Sequence, residues 1–207
     1  MARTRQPYQA EIDHLVVNAA LMIARERGWD QVRLHEIADR TGLPLAEIGG
    51  RFRDVDAVAN AWFGEARAAM LALPPDELAD LPPDARIARV FGRWLDHLAP
   101  HRTVAGEIIR LKLHPSHPHH WVPMIFDLSR FVHDLLDVAR VEGAGRLRQA
   151  QEIGLTAIVL ATLRDWLADD SPGQERSKRR LERRLARAGR LARLLGGKRG
   201  GPASRPA

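Results

Sequence analysis

From residue 9 to residue 27 the apolar positions keep the i, i+3, i+4, i+7 spacing of one helix face, occupied by Ile12, Leu15, Val16, Ala19, Ala20, Ile23 and Ala24. Gly28 then stands where a helix commonly ends in a left-handed residue. The pattern predicts a short second helix over 34–40 with Leu34, Ile37 and Ala38 inward, broken by Thr41 and Gly42. Pro44 suits the first turn of a third short helix reaching about Arg51, because the N–H it lacks is unpaired there anyway. Asp54 is a good N-cap for a fourth helix, on which Val58, Ala61, Trp62 and Ala69 share a face that Glu65 interrupts.

After paired prolines at 74–75 and 82–83, helical spacing resumes over roughly 84–98, 103–113, 122–139 and 144–168. Between the second and third of these lies a run with His114, His117, His119 and His120, which Pro115 and Pro118 are expected to keep out of regular helix. Ser171, Pro172 and Gln174 read as a capping-box start for a last helix that ends near Leu195, before Gly196 and Gly197. Residues 198–207 are Gly, Pro, Lys and Arg-rich and are expected to be a disordered tail. Strand-type alternation and internal repeats are absent from the sequence, so the predicted fold class is all-α.

Composition narrows the function. At 207 residues the chain is long enough for a real core, and 45% hydrophobic with 28% charged residues is ordinary for a soluble globular protein. The sequence has no cysteine, no early apolar run of a signal peptide and no apolar stretch near the ~20 residues of a membrane span. A cytoplasmic protein is expected. The net charge of +6 is unevenly placed: twelve Lys/Arg against two acids follow Ser171, leaving 20 against 24 in the residues before it. Residues 1–60 hold eight arginines and nine acids, so the basic character belongs to the C-terminal segment.

Catalytic constellations are missing. The sequence contains no nucleophile–base arrangement, phosphate loop or paired-carboxylate motif, and no cofactor is expected. The histidine run lacks the accompanying cysteines and the backbone regularity of a zinc site, so no metal is assigned to it. Trp94, Trp121, Met124, Phe126 and Phe131 are candidates to line a pocket for a small apolar ligand, with plain core packing as the alternative.

Two short helices around a glycine-containing turn, on a longer first helix, are the geometry of a helix-turn-helix. The residues Asn18-Ala19-Ala20, Ile23-Ala24, Arg27-Gly28-Trp29, Leu34-His35-Glu36-Ile37-Ala38, Thr41-Gly42-Leu43, Ile48, Phe52 and Asp56-Ala57-Val58 resemble, in order and spacing, the N-terminal domain of the TetR family of transcriptional regulators. The resemblance implies a DNA-binding domain over 1–54 and a helical ligand-binding and dimerisation domain over 55–197. It implies homodimers whose last two helices form a four-helix bundle, and a small ligand in the body that shifts the spacing of the two DNA-reading heads. By that resemblance the DNA-facing set is Arg33, Thr41, Gly42, Leu43, Pro44, Leu45, Ala46, Glu47, Ile48, Gly49, Gly50, Arg51, Phe52 and Arg53. The dimer set is Ile153, Ala157, Leu160, Ala161, Leu185, Ala188, Leu191 and Ala192. The chain departs from the family pattern where Ser or Thr near 44, Lys near 45 and a Tyr-His pair at 49–50 are usual. Pro44, Leu45, Gly49 and Gly50 stand there instead, and none offers a side-chain donor to a phosphate.

A second group sharing this fold is also similar. Gly154 to Ile158, Asp165 to Pro172 and Arg183-Arg184-Leu185 resemble lipid-binding accessory proteins of ubiquinone biosynthesis, which do not read DNA and rest an amphipathic C-terminal helix on membranes. In the last helix Leu181, Leu185, Ala188, Ala192 and Leu195 line one face, and arginines cover most of the remainder. That helix reads as a dimer element with a solvated basic face, as a contact to an anionic membrane surface through residues 178–195, or as a supplementary nucleic-acid contact.

Overall fold

The computed structural model describes residues 5–112, 118–143 and 145–197, with side chains over 9–112, 126–143 and 145–192; the tail 198–207 lies outside the described residues. All regular structure among them is helical: α1 (Arg5–Arg27), α2 (Leu34–Thr41), α3 (Leu45–Arg51), α4 (Val55–Leu71), α5 (Asp76–Ala79), α6 (Pro83–Leu98), α7 (Arg102–Lys112), α8 (Pro118–Val138), α9 (Gly145–Leu167) and α10 (Glu175–Gly197). The chain divides into two compact units, Met1–Ala72 with Arg93–Phe126, and Leu73–Gly92 with Asp127–Ala207.

In the first unit α1 packs on α2, α4 and α7. Serving several neighbours widens its buried arc beyond the stripe read from the sequence. Val17 and Leu21 join Ile12, Val16, Ala19, Ala20, Ile23 and Ala24 in the core, while Leu15, expected inward, lies on the far edge and is 45% exposed. The helix also begins earlier than expected, at Arg5. Gly28 ends it at a positive φ of 92° but with ψ 154°, outside the left-handed helical well the sequence suggested. L side chains rarely adopt that φ, so glycine suits this corner. Two side chains of α7 tie down the first unit. Glu107 accepts the Trp29 N–H at 2.8 Å. The buried Lys112 ammonium donates to Asn60 Oδ1 at 3.0 Å and to the Asp56 carboxylate. Asp54 caps α4 as expected, accepting from Ala57 N at 2.8 Å.

In the second unit α9 lies against α10. Leu155, Val159 and Trp166 of α9 and Leu181 and Leu185 of α10 are buried, as are Phe91, Leu135 and Leu136. The start of the last helix differs from the capping box read in the sequence. Pro172–Gln174 form a 3-10 turn with positive φ at Gly173 and Gln174, and α10 begins only at Glu175. The cap is Asp169. Its buried carboxylate accepts from Ser177 N at 2.7 Å, Ser171 N at 2.9 Å and the Ser171 hydroxyl at 2.6 Å. The Ser171 hydroxyl shares the cap, accepting from Arg176 N at 3.2 Å, and the carboxylate takes the Ser177 amide as the stronger acceptor at the positive end of a helix. Burial pushes the Asp169 carboxyl up, but the hydrogen bonds from Ser171 and Ser177 outweigh it and hold the group far below the usual carboxylate range.

That depressed pKa has a consequence for stability. The contribution of Asp169 is fully present above its unfolded value, about pH 4, and is lost as pH falls through the folded value. Asp169→Ala should therefore cost about 1–3 kcal/mol at pH 7 and much less near pH 1. Urea unfolding at the two pH values checks this, and an equal loss at both would contradict it.

Pro118 is the other correction. The sequence pattern keeps His119 and His120 out of helix, but Pro118 opens α8, where a proline's missing N–H costs nothing, and so places both in the first turn. Residues 113–117 and the side chains of 118–125 lie outside the described residues. Among the described residues no three His, Asp or Glu converge as a metal site.

Candidate nucleic-acid interface

The turn between α2 and α3 is built from its own residues. Gly42 ends α2 at φ 72° and ψ 8°, a left-handed conformation open to glycine at no steric cost. The Thr41 hydroxyl donates back to Ile37 O at 2.7 Å and accepts weakly from Leu43 N at 3.4 Å. Pro44 sits one position earlier than expected, as the N-cap of α3 with extended ψ, and its carbonyl receives the N–H groups of Glu47 and Ile48. Ile37, Ile48 and Phe52 are buried and fix the pair of helices as a unit.

The outward surface of α3 carries little charge. Pro44, Leu45, Ala46, Gly49 and Gly50 are exposed, with Leu45 at 49%. Leu43 and Glu47 are half-buried, and Ile48 and Phe52 face the core. The surrounding arginines are each engaged locally. Arg51 reaches back to α1, donating to Asp13 Oδ1 at 2.7 Å and to the Gln9 carbonyl at 2.6 Å. Arg40 donates to Glu26 at 2.7 Å, Arg27 to Glu36 at 2.8 Å, and Arg53 to Asp54 at 2.9 Å. Arg33 donates to the carbonyls of Asp30 and Val32. The Arg27 hydrogen bond holds the Glu36 carboxyl below its usual range, and the Asp54 hydrogen bond raises Arg53. Sequence counting showed a balanced charge here but not the pairing, because Asp13 and Arg51 meet only through the fold. The carboxylate pairs are exposed or half-exposed, so a phosphate can displace the acids at little cost.

At Gly49 and Gly50 a Cβ would meet nothing within 4 Å. Neither glycine is required by packing, and each weakens a seven-residue helix. Gly49→Ala and Gly50→Ala should each stabilise the chain by about 0.5–1 kcal/mol. A rise in thermal midpoint for both checks this, and a fall for either would show a role for the bare backbone.

The remaining candidates fall in different places. Trp94 is buried and stacks on Phe63 with centroids 6.1 Å apart, and the half-buried Phe131 meets Phe91 edge-on at 5.8 Å. Phe126 is 65% exposed, and the Trp121 and Met124 side chains are outside the described residues. A shallow depression of about 290 Å³ is lined instead by Trp29, Asp30, Glu107, Arg110 and Leu111, which the sequence gave no reason to group. Ile153, Ala157 and Leu160 form the outward face of α9, opposite Leu155, Val159 and Trp166, with Ala161 half-buried beside them. On α10 Leu185 is buried, whereas Ala188, Leu191 and Ala192 are exposed in the single chain. No helix among the described residues is long and apolar enough to cross a membrane.

No family model matches the chain, and no curated protein matches it. Among solved structures it is similar to a TetR transcriptional regulator from Nitrosomonas europaea, with 31% sequence identity and a TM-score of 0.78. The similarity covers 87% of this chain and 99% of that one.

Proposed function

The chain belongs to the TetR family of transcriptional regulators, and from that premise we propose that it is a homodimeric DNA-binding regulator whose operator affinity is set by a small apolar ligand in the helical body. The observation that carries this reading is the helix-turn-helix scaffold. Ile37, Ile48 and Phe52 are buried, Gly42 supplies the left-handed turn, and α3 is left with its first turn exposed, as a reading helix requires. The outward apolar faces of α9 and α10 support the dimer, and two copies placed on one duplex would read two half-sites related by their two-fold axis. Thr41, Pro44, Leu45, Ala46, Gly49 and Gly50 would then approach the base edges, with Arg33, Arg51 and Arg53 at phosphates once their carbonyl and carboxylate partners yield. Apolar Leu45 and Ala46 suit thymine methyl groups better than hydrogen-bonding base edges.

One observation favours a second reading, a lipid-binding protein of the same fold with a vestigial head. The exposed surface of α3 holds no side-chain donor at positions 44, 45, 46, 49 or 50, and the arginines around it are engaged with carboxylates and carbonyls. Mobility shift of a duplex carrying the gene's own upstream region, at two salt concentrations, separates the two. Retardation at both, competed poorly by unrelated duplex, is the regulator result. No retardation even at low salt, with co-sedimentation on anionic vesicles, is the lipid-binding result.

A further inference from the structure

We propose that the arginine face of α10, turned away from Leu181 and Leu185 and beside the exposed apolar positions Ala188, Leu191 and Ala192, is a sequence-independent nucleic-acid contact, a stripe of arginines that lies along the phosphates of one strand. Arg176, Arg179, Arg180, Arg183, Arg187 and Arg190 recur at spacings that hold them within an arc of ~100°, and all of them are exposed. The opposite arc carries Leu181 and Leu185, buried where α10 packs on α9. Arg184, off the stripe, anchors that packing by donating to the buried Asp165 at 2.6 Å. Burial pushes the Asp165 carboxyl up, and the bond and charge of Arg184, with Arg180 and Arg164, more than offset it.

Little on α10 neutralises the stripe. Arg179 meets Glu175 at 3.0 Å and Arg180 lies 3.5 Å from Asp165, both still more than half exposed. Among the described residues Arg176, Arg183, Arg187 and Arg190 have no ion pair. A folded chain pays self-repulsion for such a row, and a polyanion relieves it.

The dimensions select the polyanion. At 1.5 Å per residue the six arginines average roughly one charge per 4 Å of helix axis, close to the one charge per ~3.4 Å of a single DNA strand. The residue type fits as well, because a guanidinium grips a phosphate through two parallel N–H bonds. A lipid surface fits less well. An interfacial helix needs an apolar face to bury among acyl chains, and Leu181 and Leu185, the large apolar side chains described on the far side of this stripe, are buried against α9. The balanced charge of residues 1–60 means that the electrostatic attraction for nucleic acid resides in this segment rather than in the helix-turn-helix.

The stripe is independent of operator reading and is tested on a random-sequence duplex with the full chain. Affinity is measured by fluorescence anisotropy between about 50 and 200 mM salt. Arg183→Gln/Arg187→Gln/Arg190→Gln should weaken binding at least about tenfold at the lowest salt and make the log–log salt slope shallower by about 2–3. The corresponding triple lysine variant should restore most of the slope, which a folding defect would not allow. An unchanged slope in the glutamine variant overturns the proposal. So does failure of the unaltered chain to bind the random duplex at the lowest salt. So does a triple variant that keeps DNA affinity but loses co-sedimentation with phosphatidylserine vesicles, which would make the stripe a membrane contact.

Discussion

Ile48→Ala should cost the folded chain about 2–5 kcal/mol and remove specific DNA binding with it. Among seven residues of α3, Ile48 is the one that is buried, and it is fully so. So short a helix does not hold itself together in water, and Gly49 and Gly50 lower its propensity by roughly 1 kcal/mol each. What keeps α3 folded is this single anchor beside Ile37 and Phe52. Truncation leaves a cavity and a helix with little reason to persist. Urea unfolding gives the stability loss, and anisotropy on the upstream duplex gives the binding loss. Leu45→Ala, on the exposed side, should leave stability within about 0.5 kcal/mol while weakening DNA binding. A loss below 1 kcal/mol for Ile48→Ala would contradict the assignment of the anchor.

Ile153→Glu/Leu160→Glu should convert the chain to a monomer. These side chains are 66% and 51% exposed on the outward face of α9, with Ala157 between them, and Leu191 of α10 is 58% exposed. A face of that kind is the natural seam of a helix bundle. In a two-fold dimer the pair of substitutions places four carboxylates in the seam, and each buried ion costs several kcal/mol when unpaired. The dimer dissociation constant should rise by more than about 10³-fold. Sedimentation velocity reads the change, and far-UV circular dichroism should show an unaltered helix content, because both side chains are more than half exposed in the single chain. A double variant that remains a dimer would place the interface elsewhere.

The helical architecture was readable because its signal is local. Periodicity and punctuation by Gly42, Pro44 and Asp54 set the helices around the turn to within a residue or so. The readings that failed did so where two local rules competed. Ser171 keeps one amide of α10, accepting from Arg176 N at 3.2 Å, but Asp169, two residues upstream, is the stronger acceptor and takes Ser177 N at 2.7 Å. Pro118 has the form of a breaker but sits where helices accept proline. Leu15 kept the helical spacing, but the arc that α1 buries is set by its several partners and turned away from it. The site was legible only by residue type. Arg51 looked like a phosphate contact from its position, and its tie to Asp13 and the Gln9 carbonyl, 38 and 42 positions away, exists only in the fold. The grip of Lys112 on Asp56 and Asn60 was invisible for the same reason.

The central claim is that α2 and α3 read DNA as part of a dimer. The most direct measurement is selection of bound duplexes from a random library at about physiological salt, where specific binding separates from non-specific attraction, followed by sequencing. The unaltered chain should enrich one palindrome whose half-sites lie a whole number of helical turns apart, about 34–36 Å per turn. Leu45→Glu, which places a charge on the exposed face of α3, should enrich none. Recovery of no common motif by the unaltered chain, or of the same palindrome by Leu45→Glu, would contradict the claim.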